Sequence, residues 1–125
     1  MQVKIDTKEK IHVITIQESE LTANMTEQIQ ESLLTYLKKP AKNVILDLQD
    51  INNVDDAAAE VLINIQQGFY EQGASFVICN LQPLVQQMLD STGLLELMNE
   101  VPTLIEAIDI IHLEEIEREL LDGEP

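Results

Sequence analysis

The sequence contains no tryptophan and only two phenylalanines and two tyrosines, so aromatic residues make up 3% of its 125 positions. Yet 45% of the residues are apolar, and the core must therefore be assembled from Val, Ile, Leu, Met and Ala. A single cysteine, Cys79, excludes an internal disulfide and suits a reducing compartment. The first ten residues alternate and carry charge, without the apolar run of a signal peptide. No stretch approaches the roughly 20 apolar residues of a membrane span. These absences predict a soluble, cytoplasmic protein of one domain, large enough to bury its own core. Positive charge is scarce as well. Seven Lys and Arg face 23 Asp and Glu, for a formal net charge of -16. Such a surface repels phosphate backbones and anionic lipid, which argues against nucleic acid and membrane as partners. It leaves solubility, or selection of basic partner surfaces, as the use of the charge.

Catalytic equipment is also missing. Ser91-Thr92-Gly93 is not a phosphate-binding loop, because it lacks the Walker lysine. No nucleophile stands beside a recognisable base, so no enzymatic activity and no cofactor are expected. Asp47, Asp50, Asp55, Asp56 and Glu60 do not have the ligand spacing or the central glycine of an EF-hand loop; they read as a solvated surface rather than a metal site. His12 and His112 stand apart from any other His or Cys and read as surface or helix-end residues. Cys79, inside an apolar run, is expected to have a raised pKa and no reactivity.

What is present is an alternation of strand and helix patterns. Val3, Ile5, Ile11, Val13 and Thr15 alternate around a turn at residues 7–10 and predict an opening hairpin. Thr22 is placed to cap a helix with apolar positions Met25, Ile29, Leu33 and Leu37, stopped by Pro40. Val44-Ile45-Leu46 predicts a strand covered on both faces. A polar turn through Asn52, Asn53, Asp55 and Asp56 leads to a helix with the stripe Ala58, Val61, Leu62, Ile65 and Phe69, ended by Gly73. Residues 76–79 predict another buried strand, and Pro83 to Gly93 a third helix. Residues 94–98 predict a short last strand. Pro102 opens a final helix over about 103–121, roughly 28 Å long, with Leu104, Ile105 and Ile108 serving the core. Its apolar positions continue through Ile111, Ile116 and Leu120, beyond what a small sheet can cover. Either the helix bends at His112 and its last turns fold back or fray, or its far end makes a partner or homodimer contact. The chain thus divides into a domain over residues 1–110 and an acidic helical extension of it over 111–125. The expected class is α/β with a mixed sheet, its strand–helix–strand units parallel and right-handed.

The segment Asn43 to Leu62 resembles the signature region of STAS domains of the anti-sigma factor antagonist type. There, a strand ending in Asp-Leu runs through a short turn into an Asp-Ser-Ser-Gly-Leu-Gly helix start. Gly73 before a strand, Asn80-Leu81-Gln82-Pro83 after it, and Met88-Leu89 leading to Thr92-Gly93-Leu94 extend the likeness, which holds from about residue 3 to 109. The resemblance implies a mixed sheet with helices packed largely on one side and a non-catalytic, protein-binding regulator. Its partner would be a kinase-like anti-sigma factor, met at the turn that starts the second helix. In partner switching, phosphorylation of a serine in that turn releases the kinase. The added charge, close to two units at a helix N-terminus, accounts for the release. The implied surface comprises Asn53, Asp55, Asp56, Ala57, Ala58 and Glu60, with Leu21 and Thr22 in the facing loop.

The chain departs from that pattern where it matters. Asp56 and Ala57 stand on the two serine positions, Ala58 and Glu60 replace small residues, and no Ser, Thr or Tyr occurs between Tyr36 and Tyr70. An O-phosphorylation switch at this turn is chemically impossible. One of Asp55 and Asp56 is expected to cap the helix, for about 1 kcal/mol, and the other to hold a fixed negative charge that partly imitates the modified state. Two alternatives stay open. One is a structural protein oligomerising through Ile111, Ile116 and Leu120; the other is an accessory domain for small-ligand or lipid transport.

Overall fold

A computed structural model describes residues 1–122. Strands β1 (Val3–Lys8) and β2 (Ile11–Ile16) form the expected hairpin. Its two-residue turn is Glu9-Lys10, with φ of 53° and 67°. Positive φ at both positions matches the right-handed twist of the flanking strands. After β3 (Glu20–Leu21) come a 3₁₀ turn at Ala23–Met25, helix α1 (Thr26–Leu34) and a second 3₁₀ turn at Thr35–Lys38. Then follow β4 (Asn43–Asp47), β5 (Asn53–Val54), α2 (Asp56–Glu71), β6 (Phe76–Cys79), α3 (Pro83–Ser91), β7 (Glu100–Val101) and α4 (Leu104–Asp122).

The main sheet has the order β1-β2-β4-β6-β7, antiparallel at the hairpin and parallel elsewhere. It is the mixed sheet that the strand and helix patterns predict. Alternation sorts its side chains into two cores. Ile14, Ile16, Val44, Leu46, Phe76 and Ile78 face α1, α2 and α3. Ile11, Val13, Ile45, Val77 and Cys79 face α4 through Ala107 and Ile111. Three helices thus cover one side and the last helix covers the other. The three central strands are sandwiched, which is why β4 and β6 read as unbroken apolar runs.

Helices α2 and α3 end as their glycines predict. Gly73 and Gly93 take φ of 72° and 79°. In each case the following amide reaches back five positions, Ala74 to Phe69 and Leu94 to Leu89, the Schellman arrangement. Helix α4 begins at a capping pair: the Glu106 amide donates to Thr103 Oγ1, whose hydroxyl donates to the Glu106 carboxylate, both at 3.2 Å.

Several expectations are corrected. Residues 94–98 hold a 3₁₀ turn at Leu95–Leu97 instead of a strand. Gly93 folds the chain back, and Leu94, Leu95 and Met98, at helical spacing, pack on the larger core; the last strand is Glu100–Val101. Thr22 makes no capping hydrogen bond with its side chain. His12 is buried, its ring 4.6 Å from that of Tyr36. Its Nε2–H donates to the Ala41 carbonyl and its Nδ1 is hydrogen-bonded to the Thr7 hydroxyl, each at 2.8 Å. A carbonyl can only accept, so Nε2 carries a proton. Ile105 points to solvent, whereas Ile111 is fully buried against the sheet. Ile111 belongs to the core because it shares a helix face with Ala107, one turn earlier, and it is closed to any partner. Helix α4 runs unbroken through His112.

Candidate functional site

The turn into α2 lies at the carboxyl ends of the parallel strands, where loops of open α/β sheets gather. It is built on Asp47, the last residue of β4. Asp47 is buried, and its carboxylate accepts the Gln49 amide and the Gln49 side-chain NH₂, both at 3.1 Å. This is an Asx turn that bends the chain out of the sheet. Gln82 Nε2 then donates to the Gln49 carbonyl at 2.8 Å and ties the turn to the start of α3. Asp47 also bears on Cys79 beside it. The Cys79 thiol is pushed up to about 12, first by burial and then by the Asp47 charge; it stays protonated and inert, as its apolar surroundings predict.

The facing loop and the turn are joined by main-chain bonds. β3 and β5 pair in parallel, Glu20 opposite Asn53 and Leu21 opposite Val54. The Asn52 amide donates to the Ser19 carbonyl at 2.8 Å, and the Asp55 amide to the Leu21 carbonyl at 2.9 Å. Leu21 and Val54 are buried beneath this bridge. Asp55 occupies the boundary position of α2 in extended conformation, and its carbonyl accepts from Ala59 at 2.9 Å. Its carboxylate does not cap its own helix. Instead Oδ2 accepts the Ala23 amide at 3.2 Å, so the charge of one loop caps the 3₁₀ turn of the other. Thr22, half-buried, contributes its carbonyl to the Met25 amide at 3.0 Å.

Of the sequence-predicted residues, Leu21, Thr22, Asn53 and Asp55 therefore form one hydrogen-bonded unit. Asp56, Ala57 and Glu60 lie exposed on the first turn and a half of α2, beside that unit, while Ala58 is buried under it. The methyl group of Ala58 packs into the core between helix and sheet. Asp56 and Ala57 present one carboxylate and one methyl group to solvent at a helix N-terminus with no side-chain cap of its own. Ile116 and Leu120 lie elsewhere, on the helix that covers the opposite face of the sheet.

The cations are unevenly placed along the strand direction. No Lys or Arg occurs between residues 43 and 117. The loops at the carboxyl ends of the strands carry Glu18, Glu20, Asp50, Asp55, Asp56 and Glu60. Lys8, Lys10, Lys38, Lys39 and Lys42 gather at the opposite end, where Lys10, Lys42 and Arg118 line one open cleft of about 500 Å³ together with Glu115 and Glu119.

Sequence reasoning missed a polar cluster that fastens α4. Asn43 Oδ1 accepts the Ser75 amide at 2.9 Å, and Asn43 Nδ2 donates to Glu115 at 3.1 Å. The Ser75 hydroxyl donates to Glu114 at 2.6 Å and accepts from Arg118 at 3.0 Å. Tyr70 donates to Glu114 at 2.8 Å. Burial, reinforced by the bond to Glu114 and its charge, raises the Tyr70 phenol well above its ordinary range. Partners 32 to 75 positions apart leave no local pattern to read.

Comparison with known proteins places this geometry. A family model described as STAS domain matches residues 2–119. Among solved structures, a serine-to-glutamate variant of RsbS from Moorella thermoacetica is 26% identical, with a TM-score of 0.72 over 94% of this chain and 99% of its own. An anti-sigma factor antagonist from Mycobacterium paratuberculosis gives a TM-score of 0.75 at 13% identity, covering 89% of this chain and 93% of that one. The Bacillus cell fate determinant SpoIIAA in its phosphorylated form gives 0.62 at 19% identity, covering 88% and 99%.

Proposed function

This chain belongs to the STAS domain family, and we propose that it is a non-catalytic regulator that binds a protein partner, a kinase-like anti-sigma factor, through the bridged loops and the start of α2. One observation carries the reading. Asp56 and Ala57, which the family resemblance aligns with the two switch serines, lie exposed at the N-terminus of α2. The surface is kept and the hydroxyl is not. A carboxylate at the first position of α2 interacts favourably with the helix dipole and supplies one permanent negative charge where relatives acquire about two on phosphorylation. The regulator is thus held in a single binding state that no kinase can reset at this turn.

The test is calorimetric titration of the kinase-like anti-sigma factor with the native chain and with Asp56→Ser, Ala57→Ser and the double variant, alongside labelling with ATP. The native chain should take no label at residues 53–60. The double variant should take label, and its affinity should change at least about tenfold on labelling, a difference of 1.4 kcal/mol. Labelling without any change in affinity would mean that the turn is not the binding surface.

A further inference from the structure

We infer that the outward face of α4 is a second docking surface, fitted to a basic amphipathic helix of a partner protein. Five large aliphatic side chains stand in solvent on this one helix: Ile105 at 73% exposure, Leu113 at 59%, Ile116 at 53%, Leu120 at 70% and Leu121 at 77%. Ile105, Leu113, Ile116 and Leu120 fall on one side at helical spacing and form a stripe roughly 22 Å long. The opposite side of the helix is already satisfied by the sheet, through Ala107 and Ile111. The helix is therefore apolar on two faces, and among the described residues only one of them has a partner. Fraying does not explain the second face. Glu114, Glu115 and Arg118 bind Ser75, Tyr70 and Asn43 and hold the outer stripe in a fixed orientation.

Charge decides what covers it. Glu106 and Glu117 flank the stripe on one side and Glu119 on the other, and Asp109 lies within it; all four are exposed. The one Arg of the helix, Arg118, is turned inward to Ser75, and His112 is engaged with Glu9 at 3.2 Å. A second copy of this chain would set carboxylates against carboxylates along the whole contact. A helix with an apolar seam repeating every three and four residues and Lys or Arg on its flanks meets both requirements, as in helix-in-groove recognition and charged coiled-coil pairs. This face lies across the sheet from α2, and the inference does not depend on the function proposed for that helix.

The probe is a synthetic 21-residue peptide with Leu at the seam positions and Lys on the flanks. Its analogues carry Glu on the flanks, or Ser along the seam. Anisotropy at about 0.15 M salt should show saturable binding of the Leu/Lys peptide to the full chain. Binding should weaken at least tenfold with either analogue, and with Ile116→Ser combined with Leu120→Ser. Leu113→Ser alone should weaken it less, and all variants should keep the native thermal midpoint. Equal binding to the native chain and the double variant would overturn the inference, since bulk charge alone would then explain it. Sedimentation of the native chain as a dimer that the double variant dissociates would also overturn it, by making a second copy the occupant.

Discussion

Asp55 stands at the boundary of α2, where an aspartate ordinarily accepts an amide of its own first turn. Here its carboxylate reaches Ala23 in the facing loop, and the first turn of α2 is left to its dipole and Asp56. The sequence placed a capping aspartate at this boundary but could not say which amide it would choose, because the choice depends on a loop more than thirty residues away. Asp55→Ala should lower unfolding stability by about 1 kcal/mol in a urea titration, with Asp55→Asn costing less because it keeps an acceptor. If the alanine variant matches the native chain, the bond between the loops carries no energetic weight. His12 teaches a similar lesson. Its lone position on a strand suggested the surface, but strand alternation turns it inward with Ile14 and Ile16, where Thr7 and Ala41 meet both nitrogens.

Among the elements, α4 owes its register to two kinds of contact. Its first half is an apolar face on the sheet. Its second half is fastened by Glu114, Glu115 and Arg118. Glu114→Ala removes the shared acceptor of Tyr70 and Ser75. It should cost about 2 kcal/mol, as expected for a partly buried charged hydrogen bond, and should lower hydrogen-exchange protection in the last two turns of α4 more than elsewhere. Uniform loss of protection along the chain would instead mean that the cluster supports the fold globally. Elements with strong periodicity or distinctive ends were readable in advance: the hairpin, α2 and α3 with their glycine ends, and the length of α4. The pairing of β3 with β5 was not, since two-residue strands have no period. Residues 94–98 were misread because Leu94, Leu95 and Met98 suit a strand and a tight helical turn equally, and only the fold-back at Gly93 decides between them. The candidate surface was legible as a set of positions. Its construction as one bridged unit was not.

For the whole molecule, a formal charge of -16 on 125 residues makes self-repulsion a standing cost of the compact state. Screening should relieve it. Raising the salt from about 0.01 to 1 M shortens the Debye length from about 30 to 3 Å, and the thermal midpoint should rise by several degrees. A midpoint that does not move would mean that the carboxylates are already far enough apart to ignore one another. The repulsion is not evenly spread, because nearly all the cations sit at one end of the strands and the bridged acidic loops at the other. A body charged in this way carries a permanent dipole as well as a net charge. In the field of an approaching cationic protein it experiences a torque before any contact is made. Tumbling becomes biased, and the end bearing Asp55, Asp56 and Glu60 arrives first. The sorting of six of the seven cations to one pole thereby acts on the orientation of encounters, at distances where no side chain has yet touched its partner.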